Sequence, residues 1–228
     1  MLEQFGFSYE TLRDEGIDER LSDRFDVIVL PSDPAWVILG EGVEEHFEER
    51  GRPAPLTPPE YRSGMGKEGV ECLVKYVSEG GTLVCLNESG LFAAEAFKLD
   101  IGDAVQAKST KEFFCPASTL RVTVDNSHPL GYGMPLDSTL FFWESPVFDV
   151  KPSLSSEKME TVARYPAHQI LQSGWLDGEK HLAGKPALMV AEVGSGRVVL
   201  FGFRPQHRAQ THGTYKFFFN SLILPAMT

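Results

Sequence analysis

Basic residues are in short supply in this chain. Its 228 residues carry 21 Lys and Arg against 32 Asp and Glu, a formal net charge of −11. That balance disfavours nucleic acid and anionic membrane as partners, because nothing offsets phosphate repulsion. The local basic group of Arg197, Arg204, His207 and Arg208 is too small a footprint to reverse it. Cysteine is equally sparse. Cys72, Cys85 and Cys115 include no C-x-x-C pair and are too scattered for a disulfide framework. No apolar run reaches the length of a bilayer span. The N-terminus lacks a basic and an apolar signal region, so no signal peptide is expected on this chain. The compartment stays open. Internal repeats and low-complexity tracts are absent. The remaining composition, 42% hydrophobic and 23% charged, is that of a soluble globular domain large enough to bury a sizeable core.

Hydrophobic patterning divides the chain into three stretches of one expected domain, 1–228. Residues 1–100 read as a parallel α/β part, 101–185 as a β-rich elaboration, and 186–228 as a C-terminal hairpin and helix. Leu2 to Phe5 reads as a helical turn closed by Gly6, and Phe7 to Leu12 as a short strand. Asp26 to Pro31 reads as a strand buried on both faces. Glu41 to Arg50 suggests a short acidic helix. Val70, Leu73, Val74 and Val77 share one helical face. Thr82–Leu86 follows as a buried strand, then a helix from about Leu91 to Phe97. Short strand-like pieces at Leu120–Val124, Thr139–Trp143, Val147–Val150 and Thr161–Tyr165 suggest an antiparallel extension. Ala187–Val193 and the strand from Arg197 to Phe203 flank a Gly194-Ser195-Gly196 turn. A closing helix spans Tyr215–Leu224. The expected architecture is a mainly parallel, flavodoxin-like sheet flanked by helices, with antiparallel strands added. Phe141, Phe142, Phe217, Phe218 and Phe219 are expected in the core; Trp36, Trp143 and Trp175 fall near loops or strand ends, where buried packing is expected unless one of them lines a pocket.

The densest polar stretch follows the last apolar strand. Arg204-Pro-Gln-His-Arg-Ala-Gln-Thr-His212 holds two arginines, two histidines and two glutamines. In an open α/β sheet, ligands collect at such strand ends. Arg204, His207 and Arg208 there could receive an anion or a peptide carboxylate.

Asp26-Val-Ile-Val-Leu-Pro31, Tyr61-Arg-Ser-Gly-Met-Gly66, Gly80-Gly-Thr-Leu-Val84, His128-Pro-Leu-Gly-Tyr-Gly-Met134 and Gly196 to Gly213 together resemble the class I glutamine amidotransferase-like superfamily. More narrowly, they resemble the amidotransferase-like domain C-terminal to some bacterial zinc carboxypeptidases. The resemblance runs over nearly the whole chain. It implies that the first strand and helix of the family pattern are missing here. It also implies a peptidase domain in a bacterial parent protein, secreted or periplasmic, and either a rearranged sheet edge or one completed by a second copy.

Active members of that superfamily place a cysteine in Gly-x-Cys-x-Gly at a strand-to-helix turn. Set on Gly90, the motif falls on Leu86-Asn-Glu-Ser-Gly90, with Glu88 at the nucleophile position and no thiol. The histidine that matches the family is His207 or His212, and neither is followed by the usual x-Glu. The resemblance therefore implies a pseudoenzyme without a cofactor, acting as an accessory or ligand-binding domain. Its binding residues would be Arg62, Asn87, Arg204, His207, Arg208 and His212, and its partners a peptide or small anion. The alternatives are a hydrolase or amidase using Ser89 or Glu88 with His207 or His212, and a structural oligomerisation module. His46-Phe-Glu-Glu49 has a zinc-ligand spacing that His168 or His181 could complete. Its acidic, exposed setting argues against a metal there.

Overall fold

The computed structural model describes residues 1–49, 51–53, 64–151 and 158–227. Its helices are α1 (Leu21–Arg24), α2 (Ala35–Leu39), α3 (Val43–Glu48), α4 (Gly66–Ser78), α5 (Ser89–Ala96) and α6 (Tyr215–Ile223). The strands are β1 (Val27–Leu30), β2 (Thr82–Leu86), β3 (Ile101–Asp103), β4 (Ser118–Val124), β5 (Asp137–Phe142), β6 (Phe148–Val150), β7 (Met159–Arg164), β8 (Leu171–Ser173), β9 (Pro186–Val193) and β10 (Gly196–Phe201).

The main sheet runs β1-β2-β10-β9-β7-β4-β5, with β8 also paired to β4. Among the described residues, only β1·β2 and β2·β10 are parallel, and the other pairings in it are antiparallel. The sheet is therefore mixed, not mainly parallel and flavodoxin-like. The reason is local. Gly194 and Ser195 close a tight β9–β10 hairpin, and a hairpin can only pair antiparallel. From β9 onward the sheet continues in that sense. The piece at Val147–Val150 joins a separate two-stranded ladder with β3. Phe7–Leu12, expected as a strand, has no regular structure. The Leu2–Phe5 turn is one turn of 3-10 helix, closed by Gly6 at φ 77°.

Two apolar layers hold the sheet. On one face α1, α2, α4 and α5 bury Leu21, Ile38, Leu73, Val77, Phe92 and Ala93 against Leu83, Cys85, Val198 and Leu200. On the other, Phe217 and Phe218 of α6 meet Val84, Val199, Phe201 and the inward residues of β4, β5 and β7. Alternate residues of β2 thus serve opposite layers, as the twofold strand period requires. The α4–β2 connection is tight: the Tyr76 ring covers Gly81, where an added Cβ would lie 2.4 Å from it. The Tyr76 hydroxyl donates to Thr82 O at 3.3 Å. No helix among the described residues is long and apolar enough to cross a membrane.

Parallel register brings three strands to a common carboxyl edge. Leu30 pairs with Cys85, and Phe201 with Leu86. Ser32–Asp33, Asn87–Ser89 and Arg204 therefore emerge side by side.

Candidate functional site

The candidate site begins where β2 stops. The Asn87 N–H still bonds Phe201 O at 2.8 Å. Its backbone then turns left-handed, with φ 58°, a conformation that asparagine tolerates better than most residues. The residue at the sharp turn is thus Asn87, one position before the Glu88 that the motif alignment selects. Its side chain is fully buried. The amide nitrogen donates to Ser32 Oγ at 3.1 Å and to Glu144 O at 2.9 Å. It thereby ties the ends of β1 and β5 to the turn. Asn87 Oδ1 is buried with no protein partner.

Ser89 is fully buried too. Its hydroxyl faces Leu86 O at 2.9 Å and Leu30 O at 3.3 Å. These carbonyls, and no histidine, are its partners, so the structure does not support Ser89 as a presented nucleophile. Cys85 is fully buried in β2, and burial pushes its thiol far up from its ordinary value. Gly90 gives the turn its clearance: a Cβ there would lie 2.9 Å from the Phe148 ring.

Glu88 is the group that reaches the opening. Its carboxyl is held above the usual range, chiefly by burial; Arg204 draws it down, while Glu144 and Asp33 push it further up. The opposite bank is built on β5 and the loop after β10. Arg204 N–H donates to Phe141 O at 3.4 Å. Arg204 Nε donates to Trp143 O at 3.1 Å, and its guanidinium lies 5.3 Å from the centre of the Trp143 ring. The His207 ring rests on Phe141 at 5.0 Å and edge-on to Trp143 at 4.8 Å. Partial burial and then the charges of Arg204 and Arg208 lower the His207 pKa from 6.5. All three effects favour the neutral imidazole over the imidazolium.

Arg208 and Ala209 both have left-handed backbones, φ 50° and 58°. Such residues persist where the surroundings over-determine them. Here Thr211 and Thr214 hydroxyls both donate to Pro205 O, at 3.2 and 2.6 Å. His212 takes a different environment. Its Nε2 lies 2.9 Å from Ala209 O and its ring packs on Tyr215 at 4.9 Å. Arg62, the remaining expected binding residue, lies outside the described residues.

Residue type alone did not point to the wall formed by Trp143 and Glu144, whose φ is 47°. Trp143 and Trp36 are half-exposed and Trp175 is 60% exposed, so none of the three is the core residue expected. Phe141 is likewise half-exposed, because β5 turns it outward toward His207. His46 of the zinc-like spacing stacks on Trp36, centroids 4.3 Å apart.

Glu88 gives a test by pH. A carboxyl whose folded pKa is raised binds its proton more tightly in the native state. It therefore costs stability above its unfolded pKa, near 4.5, and the cost is complete once pH passes the raised value. Glu88→Gln should raise the melting temperature at pH 7–8. The gain should vanish toward pH 4. Thermal unfolding across this range reads it directly.

No family model matches the chain, and no curated protein matches it. Solved structures do. A protein from Thermoplasma acidophilum, provisionally named as part of a GMP synthase, superposes with TM-score 0.57 at 13% identity, over 99% of this chain and 85% of that one. A cytoplasmic protein of Salmonella typhimurium LT2 gives 0.56 at 12% identity, over 100% and 84%. A ThuA-like protein, provisionally named, from Bacteroides uniformis gives 0.51 at 13%, over 97% and 78%. The chain shares its fold with these proteins. At these identities the likeness is one of fold, and fold does not confer activity.

Proposed function

We propose that this amidotransferase-like chain is a non-catalytic ligand-binding domain, and that the crevice between Asn87–Ser89 and Trp143–Arg208 receives a peptide. The observation that carries the reading is the buried Asn87 amide at the strand-to-helix turn. Where an amidotransferase needs an exposed nucleophile, this turn holds a side chain whose two donors are spent on Ser32 and Glu144.

Charge argues for the ligand. Asp33, Glu88 and Glu144 lie near one another and would repel a simple anion. Arg204 and Arg208, both close to His207, would repel a simple cation. A peptide with free termini carries both signs. Its carboxylate suits Arg204, whose Nε is already fixed and whose terminal nitrogens can form a fork. Its amine suits the three carboxylates. Phe141, Trp143 and His207 supply an apolar side. The resemblance to domains carried by zinc carboxypeptidases extends the proposal to an accessory role beside a peptidase domain.

Tetra-alanine is a suitable probe, followed by amide shifts of labelled protein. Saturable shifts at Glu88, Glu144 and Arg204 are expected. Arg204→Ala should weaken binding at least about tenfold, since hydrogen bonds to a charged group contribute about 1.5–3 kcal/mol. Shifts that do not saturate, or equal affinity in the variant, would overturn the assignment.

A second reading draws on the raised Glu88 pKa. A carboxylate tuned toward neutrality can act as general base on water. Turnover of a bound peptide, or its absence, separates the two.

A further inference from the structure

A second recess lies away from the crevice, on the outward face of the β4–β5 ribbon. It is an open pocket of about 320 Å³ whose lining includes Arg121, Asp137, Thr139, His168, Gln169 and Gln172. That volume is at the lower end for small-molecule sites. The register explains its floor. Arg121 pairs with Thr139, and Thr123 with Asp137. Leu120, Val122 and Leu140 between them point into the core, so these four residues share the solvent face.

The wall is a fixed loop. Arg121 N–H donates to Ile170 O at 2.7 Å. Ile170 is fully buried, and its own N–H reaches Glu179 Oε2 at 3.3 Å. Gln169 next to it has a left-handed backbone, φ 58°. The loop therefore holds Gln169 and His168 out over the ribbon.

We propose that this pocket binds a neutral, polyhydroxylated ligand of the size of a disaccharide. One guanidinium and one carboxylate line it, so its formal charge cancels. The ion pairs found among the described residues involve neither Arg121 nor Asp137. Both are free to hydrogen-bond a guest. Arg121 only donates and an ionised Asp137 only accepts. Gln169, Gln172, His168 and Thr139 do both. Neighbouring hydroxyls of a sugar offer the same mixture of donors and acceptors, one pair per hydroxyl. The Pro166 ring at the rim gives an apolar surface for a sugar's C–H face. A phosphate would find one cation and one repelling carboxylate. A small zwitterion has too few groups to meet both amides and the hydroxyl.

Saturation-transfer NMR on the intact chain tests the site. Maltose, cellobiose and lactose serve as probes, with diglycine and inorganic phosphate for comparison. At least one disaccharide should saturate, and the Arg121→Ala/Asp137→Ala double variant should bind it at least about tenfold more weakly, as expected for losing two charge-assisted bonds. Gln172→Ala, a single exposed change, should also weaken it. Arg204→Ala should leave it unchanged, which separates this pocket from the crevice. No saturation by any disaccharide would overturn the proposal. So would saturation by diglycine or phosphate alone, or undiminished sugar binding in both pocket variants.

Discussion

Asn87→Asp lowers the unfolding free energy by about 3–5 kcal/mol at pH 7–8, the range for an uncompensated buried charge. In a domain of this length that is a fall of roughly 6–20 °C in melting temperature. The substitution is nearly isosteric, and aspartate tolerates the left-handed backbone about as well as asparagine. What changes is the electrostatics. The amide donates to Ser32 Oγ and Glu144 O. A carboxylate cannot donate, so it faces the Glu144 carbonyl with like polarity, beside the Glu88 carboxyl. The folded-state pKa of the new carboxyl is therefore raised. The penalty is full above that raised value and fades as pH falls through it toward 4. Chemical denaturation at pH 4.5 and 7.5 measures both limits. A loss below about 1 kcal/mol at pH 7.5 would place the Asn87 side chain in open solvent and remove the basis for a non-catalytic turn.

Gly196→Ala costs about 3 kcal/mol or more, at the upper end of overpacking effects. A Cβ there would lie 2.0 Å from Val77 O and 2.3 Å from Gly81 O, with Gly80 C at 3.0 Å. All three atoms are backbone, so no side-chain rotation relieves the contact. The end of α4, the turn before β2 and the β9–β10 hairpin would have to part. Because β2 and β10 carry the two banks of the crevice, peptide binding should weaken as well. Gly213→Ala is the control. Its Cβ meets nothing within 4 Å and its φ is not positive, so its effect should stay within about 0.5 kcal/mol. Urea unfolding of the pair gives the difference.

Much of the scaffold of this crevice was legible in residue order. Leu83–Leu86 is apolar throughout and is followed by asparagine. The Gly194-Ser195-Gly196 turn announces its hairpin, and Val198 to Phe201 continue the buried run. Beyond that hairpin, strand direction was not legible. Pro186–Val193 is buried on both faces, just as a parallel strand would be, yet pairs antiparallel on both sides. Apolar periodicity records burial and is blind to the sense of the chain.

The site was legible in part. Arg204 and His207 follow a strand end, and so could be named. The family motif set on Gly90 falls with its central position on Glu88, while the left-handed turn residue is Asn87, whose type tolerates positive φ. The far wall had no local signature. Trp143 and Glu144 belong to it only because β5 ends beside β10, a long-range arrangement that no short window contains. The same holds for Arg121, Asp137 and Gln172, which three separate segments bring to one pocket.

The most direct test of the central claim is a proton NMR time course of the intact chain with tetra-alanine and glutamine, run beside Glu88→Gln. The account predicts reversible broadening of peptide signals and no new product over days in either protein. Free alanine, shorter peptides or glutamate that accumulate with the parent chain and cease with Glu88→Gln would contradict it.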